Sequence, residues 1–136
     1  MKIILDTNVI VSALLSPAGP PAKILNLVLE GSLTLVYDNT LLAEYADVCS
    51  REKFKIDKEL LAVVMDFITK EGDFRTAGPL STKLQDEDDA MFYSLYKSGG
   101  IDYLITGNTK HFPHEKGIVT PRQFLEREIT TKKNFS

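Results

Sequence analysis

Apolar runs at Lys2 to Leu5, Leu33 to Tyr37, Tyr103 to Thr106 and Ile118-Val119 are too short for helices, and stretches of helical period separate them. Runs with little polar alternation read as strands buried on both faces, the mark of a parallel sheet. Parallel neighbours cannot be joined by a hairpin, so helical crossovers must connect them. Asp73 to Thr76 is read as a further short edge strand. The expected class is therefore α/β, with ligands bound outside the carboxyl ends of the strands.

The intervening helices have legible limits. The first is expected from Val9 to Leu15, and the second from Pro20-Pro21, with Ile24, Leu25, Leu27, Val28 and Leu29 on an apolar face and Gly31 as its stop. Asp38, Asn39 or Thr40 caps the third, which turns Leu41, Leu42, Tyr45, Val48 and Cys49 inward. Asp57 caps the fourth, with Leu60, Leu61, Val64, Met65 and Ile68 inward and Gly72 at its end. A fifth opens at Asp86 to Asp89, buries Phe92, Leu95 and Tyr96, and closes at Gly99-Gly100; Pro121 starts the last. Residues 1–129 read as one domain and 130–136 as a polar tail.

Composition narrows the function. The 136 residues carry a formal net charge of -3, which argues against a dedicated duplex-DNA binder. It does not argue against an enzyme that meets phosphates through bound cations. A lone cysteine, Cys49, cannot form an internal disulfide, so a reducing cytoplasm is expected and Cys49 is read as core. Asp6 and Asn8 interrupt the opening apolar run, so no secretory leader is expected, and no run approaches the roughly 20 apolar residues of a membrane span.

Three groups of acids stand where chemistry is expected. Asp6 follows the first strand directly, either as part of a ligand site or as a cap for the next helix. Glu44 lies roughly 90° from the centre of its helix's buried stripe, within reach of a crevice, whereas Asp47 points roughly 150° away. Asp86, Glu87, Asp88 and Asp89 open a helix, where acids complement the macrodipole. Four in succession repel one another, which a cation would relieve. Hard oxygen ligands select Mg²⁺ or Mn²⁺ over zinc. His111 and His114 have metal-pair spacing, but Pro113 lies between them and no third soft ligand is evident.

The stretches IILDTNVIVSALL and DEDDAMFYSLYKSGGIDYLITGNTKHFP resemble the two halves of PIN domains, in particular the bacterial group regarded as toxins of toxin–antitoxin pairs. That resemblance implies a three-layer α/β/α, Rossmann-like domain with a central parallel sheet and a metal-dependent ribonuclease site. Carried over, Asp6, Glu44 and Asp89 become the metal-binding and catalytic acids, with Asp86 and Asp88 as alternatives to Asp89. Asn8 resembles the residue that orients the first acid, and Thr106 the hydroxyl residue at the strand end. Many members carry aspartate where this chain has Asn108, which leaves one metal or two open. The implied reaction is Mg²⁺- or Mn²⁺-dependent hydrolysis of single-stranded RNA, with Lys110, Lys116, Arg122, Lys132 and Lys133 as candidate backbone contacts. The implied partners are a small antitoxin protein and a second copy of the chain; the apolar positions of the second and fourth helices read first as core and, as the alternative, as a contact surface. The alternative is a catalytically weak PIN-fold module that binds RNA or a protein. A phosphorylation-receiver domain would need paired acids after the first strand, which Asp6-Thr7-Asn8 lacks.

Overall fold

The computed structural model describes residues 1–76 and 87–130. Strands β1 (Lys2–Leu5), β2 (Thr34–Tyr37), β3 (Asp73–Phe74), β4 (Tyr103–Ile105) and β5 (Ile118–Val119) form one sheet in the order β3-β2-β1-β4-β5. Every pairing is parallel, with Ile3 opposite Tyr103, Ile4 opposite Leu104 and Leu5 opposite Ile105. Ile3, Ile4 and Leu5 are fully buried, as the unalternating run requires of a strand covered on both faces. Helices α1 (Thr7–Leu15), α2 (Pro20–Leu29), α3 (Asn39–Cys49), α4 (Lys58–Glu71), α5 (Glu87–Tyr96) and α6 (Pro121–Leu125) complete a three-layer α/β architecture. Among the described residues no helix is long and apolar enough to cross a membrane.

Local chemistry accounts for most boundaries. The Asp38 carboxylate accepts from the Leu41 N–H at 2.7 Å and caps α3; Asp57 does the same for α4 through Glu59 at 2.8 Å. Gly31, at φ +84°, closes α2 with the Ser32 N–H on the Leu27 carbonyl and its own N–H on Val28, which satisfies two terminal carbonyls. Gly72 ends α4 for a different reason. Its φ is -76°, open to any residue, but a Cβ there would stand 2.5 Å from the Ile68 carbonyl oxygen and 2.9 Å from that of Leu35. It is a point of close approach between α4 and β2.

Two expectations are corrected. The first helix begins at Thr7 rather than Val9, because Asp6 has extended backbone angles and Thr7 and Asn8 already form the first turn. Leu60 is not part of the core: it is exposed, as is Val63, because the buried stripe of α4 is the narrower set Leu61, Val64 and Ile68. Cys49 is buried, as expected.

Candidate active site

In the order β3-β2-β1-β4-β5, the chain leaves β1 towards β2 and later returns to β1's other side as β4. The carboxyl ends of β1 and β4 therefore flank the switch point of the sheet, where open α/β folds bind ligands. Asp6 follows β1 and Thr106 follows β4, so the strand register brings them side by side. The Asp6 N–H donates to the Ile105 carbonyl at 2.9 Å, and the Thr106 hydroxyl donates to Asp6 Oδ2 at 2.7 Å. Thr106 is fully buried and Asp6 is 7% exposed.

Asp6 is held by groups on both sides of the switch point. The Thr7 and Asn8 N–H groups at the start of α1 point at its carboxylate without a full cap bond, so helix capping accounts for only part of its surroundings. Asn8 spans the switch point: Nδ2 donates to Asp6 Oδ2 at 3.4 Å, and Oδ1 accepts from the Gly107 N–H at 3.1 Å. The Thr106 oxygen also accepts from the Asn108 N–H at 3.0 Å, so its proton is committed to Asp6. Burial pushes the Asp6 carboxyl above the usual carboxylate range. The Thr106 hydroxyl, the Thr7 and Asn8 N–H groups and nearby His111 offset part of that. A carboxylate held in low dielectric mainly by neutral donors is oriented but short of positive charge.

Glu44 comes to the same edge. It is half-buried on α3 and accepts from the Thr7 hydroxyl, on the residue next to Asp6. Asp47 is exposed and pairs with Arg51 at 3.3 Å, as the helical geometry predicts. Tyr45, beside Glu44, is fully buried and donates its hydroxyl to the Leu5 carbonyl at the end of β1. Burial, with Asp6, Glu44 and Asp38 as acidic neighbours, pushes the Tyr45 hydroxyl well above its ordinary value, so it stays a neutral donor. Its ring stacks on Phe92 with centroids 6.4 Å apart, which ties α3 to α5 behind the acids.

Asp89 enters from the first turn of α5. His111, on the 3-10 turn Thr109–His111 after β4, places Nδ1 3.4 Å from Asp89 Oδ2. Asp86 lies outside the described residues, as does the side chain of Asp88. Asn108 is exposed; its backbone, rather than its side chain, is tied to Thr106. Sequence reasoning missed Thr7, the Tyr45 hydroxyl and the link from His111 to Asp89. The signal for His111 is its place five residues after Thr106 on a strand-end loop, which its metal-pair spacing with His114 obscures.

Asp6, Asn8, Thr106 and, through Thr7, Glu44 thus form one connected group, with Asp89 and His111 on the same edge. Among the described residues no three Asp, Glu, His or Cys side chains are gathered closely enough to form a ready-made metal cage. The donor chemistry nevertheless fits a hard divalent cation: the carboxylates are oxygen donors, Asp6 is buried, Glu44 is held by the residue next to it, and Asp89 is linked through His111 to the loop after β4.

An uncharacterized protein of Methanocaldococcus jannaschii is 29% identical over 150 aligned residues, covering 93% of this chain and 90% of the relative. No solved structure gives a significant match. The family model described as PIN domain matches residues 2–110, which include the whole β1 to β4 core and every acid discussed above. The chain belongs to the PIN-domain family, whose members are typically nucleases that use divalent metal ions.

Proposed function

We propose that this protein is a Mg²⁺- or Mn²⁺-dependent endoribonuclease that hydrolyses single-stranded RNA at the carboxyl edge of its sheet. The observation that carries the reading is the buried Asp6 carboxylate at the switch point, gripped by Thr106 and Asn8 and, among the described residues, without a Lys or Arg partner.

Asp6, Glu44 and Asp89 would hold the ion. When bound, a divalent cation supplies positive charge against the phosphate and acidifies water. The chain's own residues prepare the site. Thr106 and Asn8 both engage Oδ2 and so fix the rotamer of Asp6. The Thr7 hydroxyl holds Glu44 at the boundary of α3. His111 lies beside Asp89, where it can steady that carboxylate or meet a phosphate oxygen. The sheet and the Tyr45–Phe92 stack form a rigid floor, which limits the reorganisation needed to receive an extended strand.

A substrate panel tests this reading. Purified protein with Mn²⁺ should cut single-stranded RNA, spare the same RNA in duplex form, and stop when chelator is added. An intact single strand in Mn²⁺ would leave the alternative, a PIN-fold module that binds without cutting.

Asn108 supplies a further prediction. Replacing it with aspartate adds a negative charge two residues after Thr106. Asn108→Asp should bind Mn²⁺ several-fold more tightly, because divalent affinity rises with ligand charge. Calorimetric titration of both forms measures the change; equal affinities would place residue 108 outside the site.

A toxin role is the finer part of the proposal. Leu60 and Val63 leave an apolar strip exposed on α4, a surface suited to a small antitoxin protein or a second copy of the chain. Light scattering of the purified chain tests self-association; a strict monomer at high concentration would remove the second copy.

A further inference from the structure

Away from the acids, the loop between β4 and β5 and the helix after it enclose a groove of about 600 Å³. Lys110, His114, Lys116 and Arg127 line it, with Glu115 as the single acid. Glu115 is already engaged, accepting from the Tyr93 hydroxyl at 2.6 Å and pairing with Lys97 at 3.0 Å. Lys110 and Lys116 are exposed and have no acidic partner among the described residues. In a chain of net charge -3, that concentration of cations on one concave surface is a local inversion of sign.

The groove is also built rather than merely lined. Arg127 donates to the Lys116 carbonyl at 2.6 Å and holds the loop against the turn that follows α6. Phe112 is buried beneath it, which fixes the loop from below. The turn Thr109–His111 joins this groove to the acids: His111 faces Asp89, and its neighbour Lys110 faces the groove. A chain laid over that turn passes from one to the other without leaving the surface. Phe112, Lys116 and Arg127 lie beyond the stretch matched by the family model, so they are features of this chain rather than of the match.

We infer that this groove is a second binding site, one that holds the sugar–phosphate backbone of the RNA strand on one side of the cleavage point through Lys110, Lys116 and Arg127. A backbone is the ligand these groups suit: cations spaced along a concave channel track phosphates without reading bases. A single strand suits it better than a duplex, because the cations sit inside a groove rather than on an open face. The inference takes its ligand class from the nuclease reading, but binding can be measured without cleavage.

The test is fluorescence anisotropy of a labelled uridine oligonucleotide in chelator. Wild type is compared with Lys110→Gln/Lys116→Gln and with Lys23→Gln/Lys70→Gln, which removes equal charge on α2 and α4. The groove variant should bind about tenfold more weakly at low salt. Its slope of log affinity against log salt should be shallower by about 1.4, from about 0.7 per lost phosphate contact. The control should match wild type. Unchanged binding in the groove variant, an equal loss in the control, or no RNA binding by wild type would each overturn the inference. So would tighter binding of polyglutamate than of RNA, which would make the groove a site for acidic protein. If the lysines govern binding but Mn²⁺ produces no cleavage, the groove stands and the nuclease reading falls.

Discussion

Asp6→Asn should abolish cleavage and, in chelator, make the protein more stable. The two effects share one cause. Ionised Asp6 is buried, and burial raises its proton affinity in the folded state above that in the unfolded chain. Between those two pKa values the native state binds more protons, so stability falls as pH rises through the window and the deficit persists at neutral pH. Asparagine keeps an acceptor oxygen for the Thr106 hydroxyl and removes the charge. The apo variant should gain about 1 kcal/mol, or roughly 3–5 °C in Tm, and lose the wild type's fall in stability on leaving the acid range. Mn²⁺ should reverse the order: at 100 times its Kd a bound ion adds about 2.7 kcal/mol to wild type, while the variant gains little. Cleavage should drop by about 10³-fold or more, as expected when an electrostatic element of a preorganised site is removed. Melting curves at several pH values, with and without Mn²⁺, measure all but the last. A variant less stable than wild type in chelator at neutral pH would mean that Asp6 serves the fold rather than a ligand.

Gly72→Ala should produce the largest loss of stability. A Cβ at this position would stand 2.5 Å from the Ile68 oxygen, 2.9 Å from the Leu35 oxygen and 2.9 Å from Tyr37 Cδ1. Two of these are backbone atoms, which cannot swing aside as a side-chain end can. Either α4 lifts from β2, breaking the bond from the Tyr37 hydroxyl to the Thr69 carbonyl at 3.2 Å, or the sheet edge shifts. Overpacking of this kind costs about 1–3 kcal/mol, or roughly 4–12 °C in Tm. The site after β1 and β4, away from the β2–β3 edge, should keep its activity per folded molecule at low temperature. Thermal unfolding of the variant checks the first point and cleavage at low temperature the second; an unchanged Tm would mean that α4 and β2 are less closely apposed.

The frame was readable in the sequence because it rests on local signals. Unalternating apolar runs give buried parallel strands, Asp38 and Asp57 give caps, and Gly31 gives a left-handed helix stop. The stretches around Asp6 and Thr106 carry the family resemblance, so the switch-point pair was legible too. What escaped depends on register and packing. Thr7 looked like the polar end of a strand, yet it opens α1 and holds Glu44. Tyr45 was read as core by its period, which says nothing of where its hydroxyl lands across forty residues of chain. Leu60 was drawn into the core because hydrophobicity alone sets a stripe too wide; Leu61, Val64 and Ile68 suffice to cover the sheet at β2. Gly72 looked like a cap residue, but what demands glycine there is the nearness of another element, which composition cannot show.

The central claim is that Asp6, Glu44 and Asp89 hold the divalent ion on which RNA cleavage depends. It is tested most directly by the rate of cleavage of a labelled single strand as Mn²⁺ is titrated from chelator upward, in wild type, Glu44→Gln and Asp89→Asn. Wild type should rise from no detectable cleavage to a saturating rate. Each variant should need at least about tenfold more Mn²⁺ to reach half its own maximum, as expected when one charged ligand is lost. Wild-type cleavage that persists in chelator, or variants with the wild-type Mn²⁺ midpoint and rate, would contradict it.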